Sequence, residues 1–258
     1  MSRLLVYLAV CCCLMPVQAV AVALGARLSR TLPVSFHRFC ARLLGFDIVV
    51  RGRLPESGPV LFVGNHTSYL DIMVLGSIIE GSFVAKSEVA RWPLFGTLAR
   101  LQRTVFIERR ASRSVRQRDE ISARLAAGDS LILFPEGTSD DGNRVLPFKS
   151  ALFAVVEKPV AGAPVWVQPF SIAYTGLDGL PLGREWRPLF SWYGDMGLPG
   201  HIWRVLTLNR TRVEVTFHQA VTFGQYGSRK ALAEHCFEVV RAGVADANAG
   251  HGARAAAA

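Results

Sequence analysis

Two rhythms of apolar positions run through this chain. Unbroken apolar runs bounded by glycine, proline or charge predict buried strands at Pro59 to Gly64, Ser82 to Lys86, Thr104 to Arg110, Ser130 to Phe134 and Val165 to Ala173. The last holds Pro169, which predicts an edge strand or a bulge. Ile48 to Gly52 is a shorter strand, and Arg212 to Phe217 alternates as a half-exposed strand does. Elsewhere the rhythm is helical. A helix opens at Ile72 behind the caps Thr67 and Ser68, another runs from Ser112 to Ala127 with Gly128 past its end, and Leu146 to Val156 and Ser228 to Val244 are two more. Trp92 to Leu101 is an apolar patch and Gly176 to Pro199 is irregular, while the Ala/Gly-rich tail from Asn248 is disordered. Strands alternating with helices imply an α/β fold with a mixed central sheet flanked by helices.

The N-terminus follows a different pattern. Leu4 to Leu24 is apolar except for Pro16 and Gln18, close to the roughly 20 residues that cross a bilayer core. The run exceeds a signal-peptide core of roughly 7–15 residues and basic residues follow at once, so it reads as a retained anchor despite the small residues Ala19, Ala21 and Ala23. Pro16 kinks it or turns it into a re-entrant hairpin. Arg3 precedes the run, while Arg27, Arg30, Arg38 and Arg42 follow it, which places the main domain on the cytoplasmic side. Leu28, Leu32, Phe36, Phe39 and Leu43 then mark an amphipathic basic helix interrupted by Pro33, seated among lipid headgroups or against the core. The expected division is an N-terminal membrane-anchoring helical segment over 1–45, a catalytic domain over 46–245 and a disordered tail over 246–258.

Composition agrees with a membrane-associated protein. Half of the 258 residues are hydrophobic and the net charge is +9, which suits an anionic membrane or anionic substrates. No nucleic-acid-binding signature accompanies that charge. The five cysteines (Cys11, Cys12, Cys13, Cys40 and Cys236) form no CxxC pair, so neither a disulfide framework nor a metal site follows. The arginines at 113, 116, 118 and 124 make a positive helix face, solvated or in contact with headgroups.

Candidate chemistry begins at the junction after the first strong strand, Asn65-His66-Thr67-Ser68-Tyr69-Leu70-Asp71. Neutral imidazole accepts a proton near physiological pH, and a carboxylate on its other nitrogen fixes the tautomer and stabilises the imidazolium. Positions five apart lie about 140° apart on one helix. His66 must therefore sit before the helix, with Asp71 reaching back from its first turn. The alternative is a capping histidine beside a surface aspartate. No GxSxG elbow or HExxH motif supplies a nucleophile or a metal-activated water, and Ser68 is too near His66 in sequence for a triad. Such a base most simply activates a substrate hydroxyl toward an electrophile that is already activated, such as a thioester.

A second candidate is Phe134-Pro135-Glu136-Gly137-Thr138-Ser139. Gly137 permits positive φ and exposes backbone N–H groups beside two hydroxyls, which suits an anionic oxygen; alone, the segment is merely a turn. Arg109 is able to clamp a phosphate, with Glu136 orienting it or binding a hydroxyl.

Taken together, Asn65-His66 with Asp71, Val105 to Arg109, Phe134 to Ser139 and Ala163 to Pro169 resemble, in order and spacing, the four blocks of the glycerolipid acyltransferase family, notably bacterial 1-acyl-sn-glycerol-3-phosphate acyltransferases. The likeness covers roughly Phe36 to Phe223. It implies that His66 is the general base and Asp71 its orienting partner. It places the substrate against Asn65, Arg109, Glu136, Gly137, Thr138 and Lys149. It also implies an acyl-CoA or acyl carrier protein donor, an acyl tunnel in the membrane, no metal or cofactor, and residence in a bacterial inner membrane. The expected acceptor is 1-acyl-sn-glycerol-3-phosphate, giving phosphatidic acid. Three positions depart from the family pattern: Glu108 for aspartate, Asp140 where arginine or serine is usual, and Ser150 for the glycine after Lys149. Trp192 to Trp203 is similar to a segment of alphaproteobacterial members, some of which acylate lyso-ornithine lipid, the alternative acceptor. A non-catalytic lipid-binding protein and a hydrolase that activates water are the remaining alternatives.

Overall fold

The computed structural model describes residues 2–55, 58–108 and 114–251, with the backbone alone for 114–117. The expected site residue Arg109, the expected helix cap Ser112, Arg113 and most of the expected tail lie outside these residues, as does the Arg116 side chain.

The elements in chain order are α1 (Ser2–Ala23), α2 (Leu28–Leu43), β1 (Phe46–Arg51), β2 (Val60–Gly64), α3 (Leu70–Ile78), β3 (Gly81–Lys86), α4 (Phe95–Leu101), β4 (Val105–Ile107), α5 (Ser114–Ala126), β5 (Ser130–Leu133), β6 (Trp166–Leu177), β7 (Leu180–Pro181), α6 (Leu198–Thr207), β8 (Thr211–Phe217), β9 (Val221–Thr222) and α7 (Arg229–Asn248). They form a mixed α/β fold. The sheet order is β1-β8-β6-β2-β5-β3-β4, with β7 and β9 paired to β6. Strands β6, β2, β5, β3 and β4 run parallel, and β8 with β1 runs the other way. Every residue of β2 is buried because both sheet faces are covered. Phe62 and Val60 pack with α2 and α3 residues such as Ala41, Leu70 and Val74. Leu61 and Val63 pack on the opposite face with Leu125 of α5 and Leu232 and Cys236 of α7.

Several expectations are corrected by tertiary context. Strand β6 is central rather than an edge, lying between β2 and β8. Pro169 is tolerated there because its partners change at that point: β9 pairs with Trp166 and Val167, while β8 begins at Phe170. The Pro169 carbonyl accepts from the His218 amide in the connection between those strands, so its missing N–H falls where the ladder is already broken. Strand β8 is nearly buried rather than half-exposed, because β1 and β6 flank it and Glu214 lies beneath Arg51, Arg212 and Thr175. Of the expected helix at 146–156 only a 3-10 segment, Ser150–Val156, forms. Pro147 has no amide to donate, and the Lys149 amide bonds the Pro135 carbonyl instead. Within the stretch expected to be irregular, β6 runs on to Leu177 and turns back through β7. Helix α7 starts just after Ser228, whose hydroxyl caps it by accepting from the Ala231 amide, and it reaches Asn248, beyond the expected start of the tail.

Both N-terminal helices run unbroken through their prolines. In α2, Pro33 cannot donate to the Ser29 carbonyl one turn earlier. The Gln18 side-chain amide of α1 fills that place, donating to Ser29 O at 2.9 Å and to Leu101 O at 2.8 Å. At the other end of α1, Arg3 donates to the carbonyls of Leu206 and Leu208. Helix α1 therefore lies along the domain rather than projecting from it. It is long and apolar enough to cross a bilayer, and Leu5, Val20 and Leu24 are among its exposed side chains.

Two of the arginines after α1 turn inward. Arg38 donates to Ser77 O, and Arg30 pairs with Asp129. Asp129 also accepts from Arg103 and Arg124, so Arg124 is not part of a solvated face. Burial raises the Asp129 pKa, but Arg124 and Arg103 overcome it and hold the carboxyl below its ordinary value. Because the native pKa is depressed, this stabilisation is present above the unfolded value near about 3.9 and is lost as pH falls through the native one. Asp129→Asn is expected to cost about 3 kcal/mol, the low end for breaking a buried ion pair because the arginines reach solvent. It should also flatten the acid limb of the unfolding midpoint, measured by tryptophan fluorescence of the full chain in detergent.

Candidate active site

The carboxyl ends of β2, β5, β3 and β4 lie along one edge of the sheet, where open α/β sheets bind ligands. His66 follows β2, the Phe134 turn follows β5, and Glu108 follows β4. Gly64 lets β2 approach β6 closely, since a Cβ there would collide with the Phe170 ring at 2.3 Å.

Asp71, fully buried in the first turn of α3, organises the junction. Its Oδ2 accepts from His66 Nδ1 at 2.8 Å and from the Thr67 and Ser68 amides at 2.8 and 3.0 Å. Its Oδ1 accepts from the Tyr174 hydroxyl at 2.9 Å and the Thr67 hydroxyl at 3.2 Å. Of the caps expected at Thr67 and Ser68, Ser68 takes the first amide of α3, its Oγ accepting from Leu70, while Asp71 reaches back from the helix to the amides ahead of it. With Nδ1 held by a carboxylate, Nε2 is the nitrogen left to exchange a proton with a substrate. The His66 ring stacks on Phe134 with centroids 4.0 Å apart.

The expected substrate residues divide into two groups. Asn65 is buried and closes a ring with the Ile172 backbone, donating to its carbonyl and accepting from its amide, both at 2.9 Å. Glu136 is also buried and accepts from the His66 amide at 3.0 Å. Both brace the histidine loop, and neither lines the cavity on which His66 opens. Gly137 has φ +67°, as the turn requires, and the Lys149 ammonium lies where a Gly137 side chain would extend. Thr138 and Lys149 are exposed at this rim. The Ser139 hydroxyl, expected to be available for an anion, donates to the Trp192 carbonyl instead. The Trp192 amide in turn bonds Thr67 O, and the Asp140 amide bonds His66 O.

His66 opens on a cavity of about 510 Å³ whose walls are largely apolar, including Leu14 of α1, Phe36 of α2, Met73 of α3 and Leu98 of α4. Trp192 borders it and meets Trp92 edge-to-face with centroids 5.6 Å apart. Sequence reasoning assigned Phe134, Tyr174 and Trp192 no part in the histidine's setting; Tyr174 carries no local signal at all, since only the sheet brings it to Asp71. Among the described residues no cluster of His, Cys, Asp or Glu could hold a metal ion.

The Acyltransferase family model matches residues 47–173. A lyso-ornithine lipid O-acyltransferase of Brucella abortus is 49% identical over 89% of this chain and 87% of its own length. The chain belongs to the glycerolipid acyltransferase family. A 1-acyl-sn-glycerol-3-phosphate acyltransferase of Neisseria gonorrhoeae is 32% identical over 72% of this chain and 70% of its own. The crystal structure of the Thermotoga maritima 1-acyl-sn-glycerophosphate acyltransferase PlsC matches with a TM-score of 0.60 at 27% identity, covering 84% of this chain and 78% of that one. This acyltransferase therefore carries the family's two main blocks on a PlsC-like fold.

Burial raises the Glu136 pKa to about 8, assisted by Asp140 and Asp71, with the His66 and Leu146 amides opposing. A raised native pKa means that stability falls as pH climbs from the unfolded value near about 4.3 toward the native one, because only the unfolded chain releases its proton there. Glu136→Gln keeps an acceptor for the His66 amide and should make the unfolding midpoint flat across that window, where the wild type declines.

Proposed function

We propose that this acyltransferase moves a fatty acyl group from a thioester donor, acyl-CoA or acyl carrier protein, to the free hydroxyl of a lyso-ornithine lipid. The observation that carries the reaction is the His66–Asp71 pair opening on an apolar cavity beside an exposed cationic rim. His66 Nε2 takes the acceptor hydroxyl's proton as its oxygen attacks the thioester carbonyl. Asp71 stabilises the imidazolium that forms. The tetrahedral intermediate then expels the thiol, which leaves with the proton held by His66. The donor chain lies in the cavity. Lys149, Thr138, the Gly137 turn and Arg109 receive the acceptor's anionic group, while Asn65 and Glu136 position the histidine loop.

The order of acceptors expected from the sequence is reversed in this reading. Identity to the Brucella lyso-ornithine lipid enzyme is higher and extends over more of the chain than identity to the Neisseria lysophosphatidate enzyme. The segment after Ser191 supports the same acceptor, because Trp192, Tyr193 and Gly194 border the cavity and Trp192 is stitched to both motif loops. The ornithine headgroup offers a carboxylate to the rim in place of a phosphate. Helix α1 seats the enzyme in the inner membrane, with its exposed apolar side chains in lipid and the active site on the cytoplasmic side, where the donor is found.

Membranes containing the enzyme, given labelled acyl-CoA with lyso-ornithine lipid and lysophosphatidic acid in parallel, should transfer label to the ornithine lipid; label on phosphatidic acid alone would overturn the acceptor. His66→Ala should lower turnover by roughly 10²–10⁴-fold or more while the unfolding midpoint stays close to wild type. Retained turnover would exclude His66 as the base.

A further inference from the structure

The cavity wall beside His66 is held by a residue that lies outside both signature segments. Tyr69, between His66 and Asp71 in the chain, is partly buried and lines the cavity together with Trp192. Its hydroxyl is hydrogen-bonded to His201 Nδ1 at 3.0 Å. The two rings also meet edge-to-face, with centroids 5.5 Å apart. A second edge contact joins Tyr69 to Trp192, with centroids 6.2 Å apart.

His201 is a firm anchor for these contacts. It is 4% exposed and sits in α6, whose Val205 is buried in the core. Arg3 holds the end of that helix through the Leu206 and Leu208 carbonyls. Burial lowers the His201 pKa, with the Leu189 carbonyl opposing, so the ring is uncharged at neutral pH. The bond to Tyr69 therefore joins two neutral groups.

The contacts converge on one side of the histidine. Trp192 gives its amide to Thr67 O, and its carbonyl accepts from the Ser139 hydroxyl. That ties it to the turn whose rim receives the acceptor's anionic group in the function proposed above. The catalytic pair is held by other donors: Asp71 is bonded to His66, Thr67, Ser68 and Tyr174. Loss of the Tyr69–His201 bond frees the Tyr69 ring to turn, and Trp192 loses the edge on which it packs. The acceptor side of the cavity then loosens while the geometry of the base is kept.

We propose that His201 is a positioning residue for the acceptor: through Tyr69 it steadies Trp192 and so sets how tightly the lysolipid is seated beside His66. It acts on acceptor binding and leaves proton transfer and the donor chain to other residues. This rests on the acceptor lying at the Gly137 turn, as in the function proposed above.

The test uses the full-length enzyme in detergent with palmitoyl-CoA as donor and, in parallel, lyso-ornithine lipid and lysophosphatidic acid. His201→Phe keeps a ring and removes Nδ1. It should raise KM for the lysolipid that is acylated by about fivefold, the scale of one neutral hydrogen bond. The kcat and the KM for palmitoyl-CoA should stay at wild-type values, a split that general loosening of the fold would not give. Tyr69→Phe should have the same effect, and the double variant should be no worse than either single one, because both remove one bond. His201→Asn, whose amide offers an acceptor or a donor near the place of Nδ1, should return KM toward wild type. An unchanged acceptor KM in Tyr69→Phe, an equal rise in KM for palmitoyl-CoA, or a fall in kcat alone overturns the proposal. Tyr69→Phe keeps its ring, so the test stands even where His201→Phe fails to fold. Transfer to lysophosphatidic acid alone would overturn the acceptor assignment, while the KM effect would still be read on that lipid.

Discussion

One carboxylate holds this active site together. Asp71 collects five donors from four residues, and each comes from a part of the chain that must be placed for the histidine to function. The Thr67 and Ser68 amides define the turn out of β2, the Tyr174 hydroxyl ties that turn to the neighbouring strand, and His66 is aimed by what is left. An ionised group in so dry a place is tolerable only with such a complement of partners. Its position at the start of α3 adds the favourable end of the helix dipole. Orientation of the base and integrity of the strand-to-helix junction are consequently one property.

The two signature segments divide their labour between chemistry and scaffolding. His66 and Asp71 face each other, whereas Asn65 and Glu136 turn inward and fasten the loop to β6 and to the turn after β5. Trp192 fastens a third loop to both. A motif residue can therefore be indispensable without meeting a substrate. Among the described residues, Thr138, and Lys149 above the Gly137 turn, face outward at the rim.

Much of the architecture could be read from local pattern. Unbroken apolar runs marked the parallel strands because both faces of those strands are buried, and Gly128 marked the end of α5 by chemistry that acts within a few residues. The spacing of five between His66 and Asp71 correctly required a histidine ahead of the helix. What could not be read depends on partners far away in the chain. Pro169 suggested an edge because nothing local reveals that β8 gives way to β9 beside it. Alternation in β8 suggested exposure because Arg212 and Glu214 are charged, yet Glu214 is buried beneath the arginines that pair with it. Pro33 suggested a break in α2, and the repair comes from Gln18 on another helix. Tyr174 could not be found from sequence, since its role exists only once β6 lies beside β2.

The strand order also bears on how the protein is made. Strand β1 emerges early, directly behind the two N-terminal helices, yet its partner in the sheet is β8, with Phe46 opposite Thr211. During synthesis the N-terminal helices can reach the membrane long before that partner leaves the ribosome. The sheet closes late, on a chain already tethered to lipid, and loop closure over so long a separation is slow. Tethering confines the search for β8 to the neighbourhood of the bilayer. The helix that carries the finished enzyme at the membrane thereby also sets where β8 is inserted.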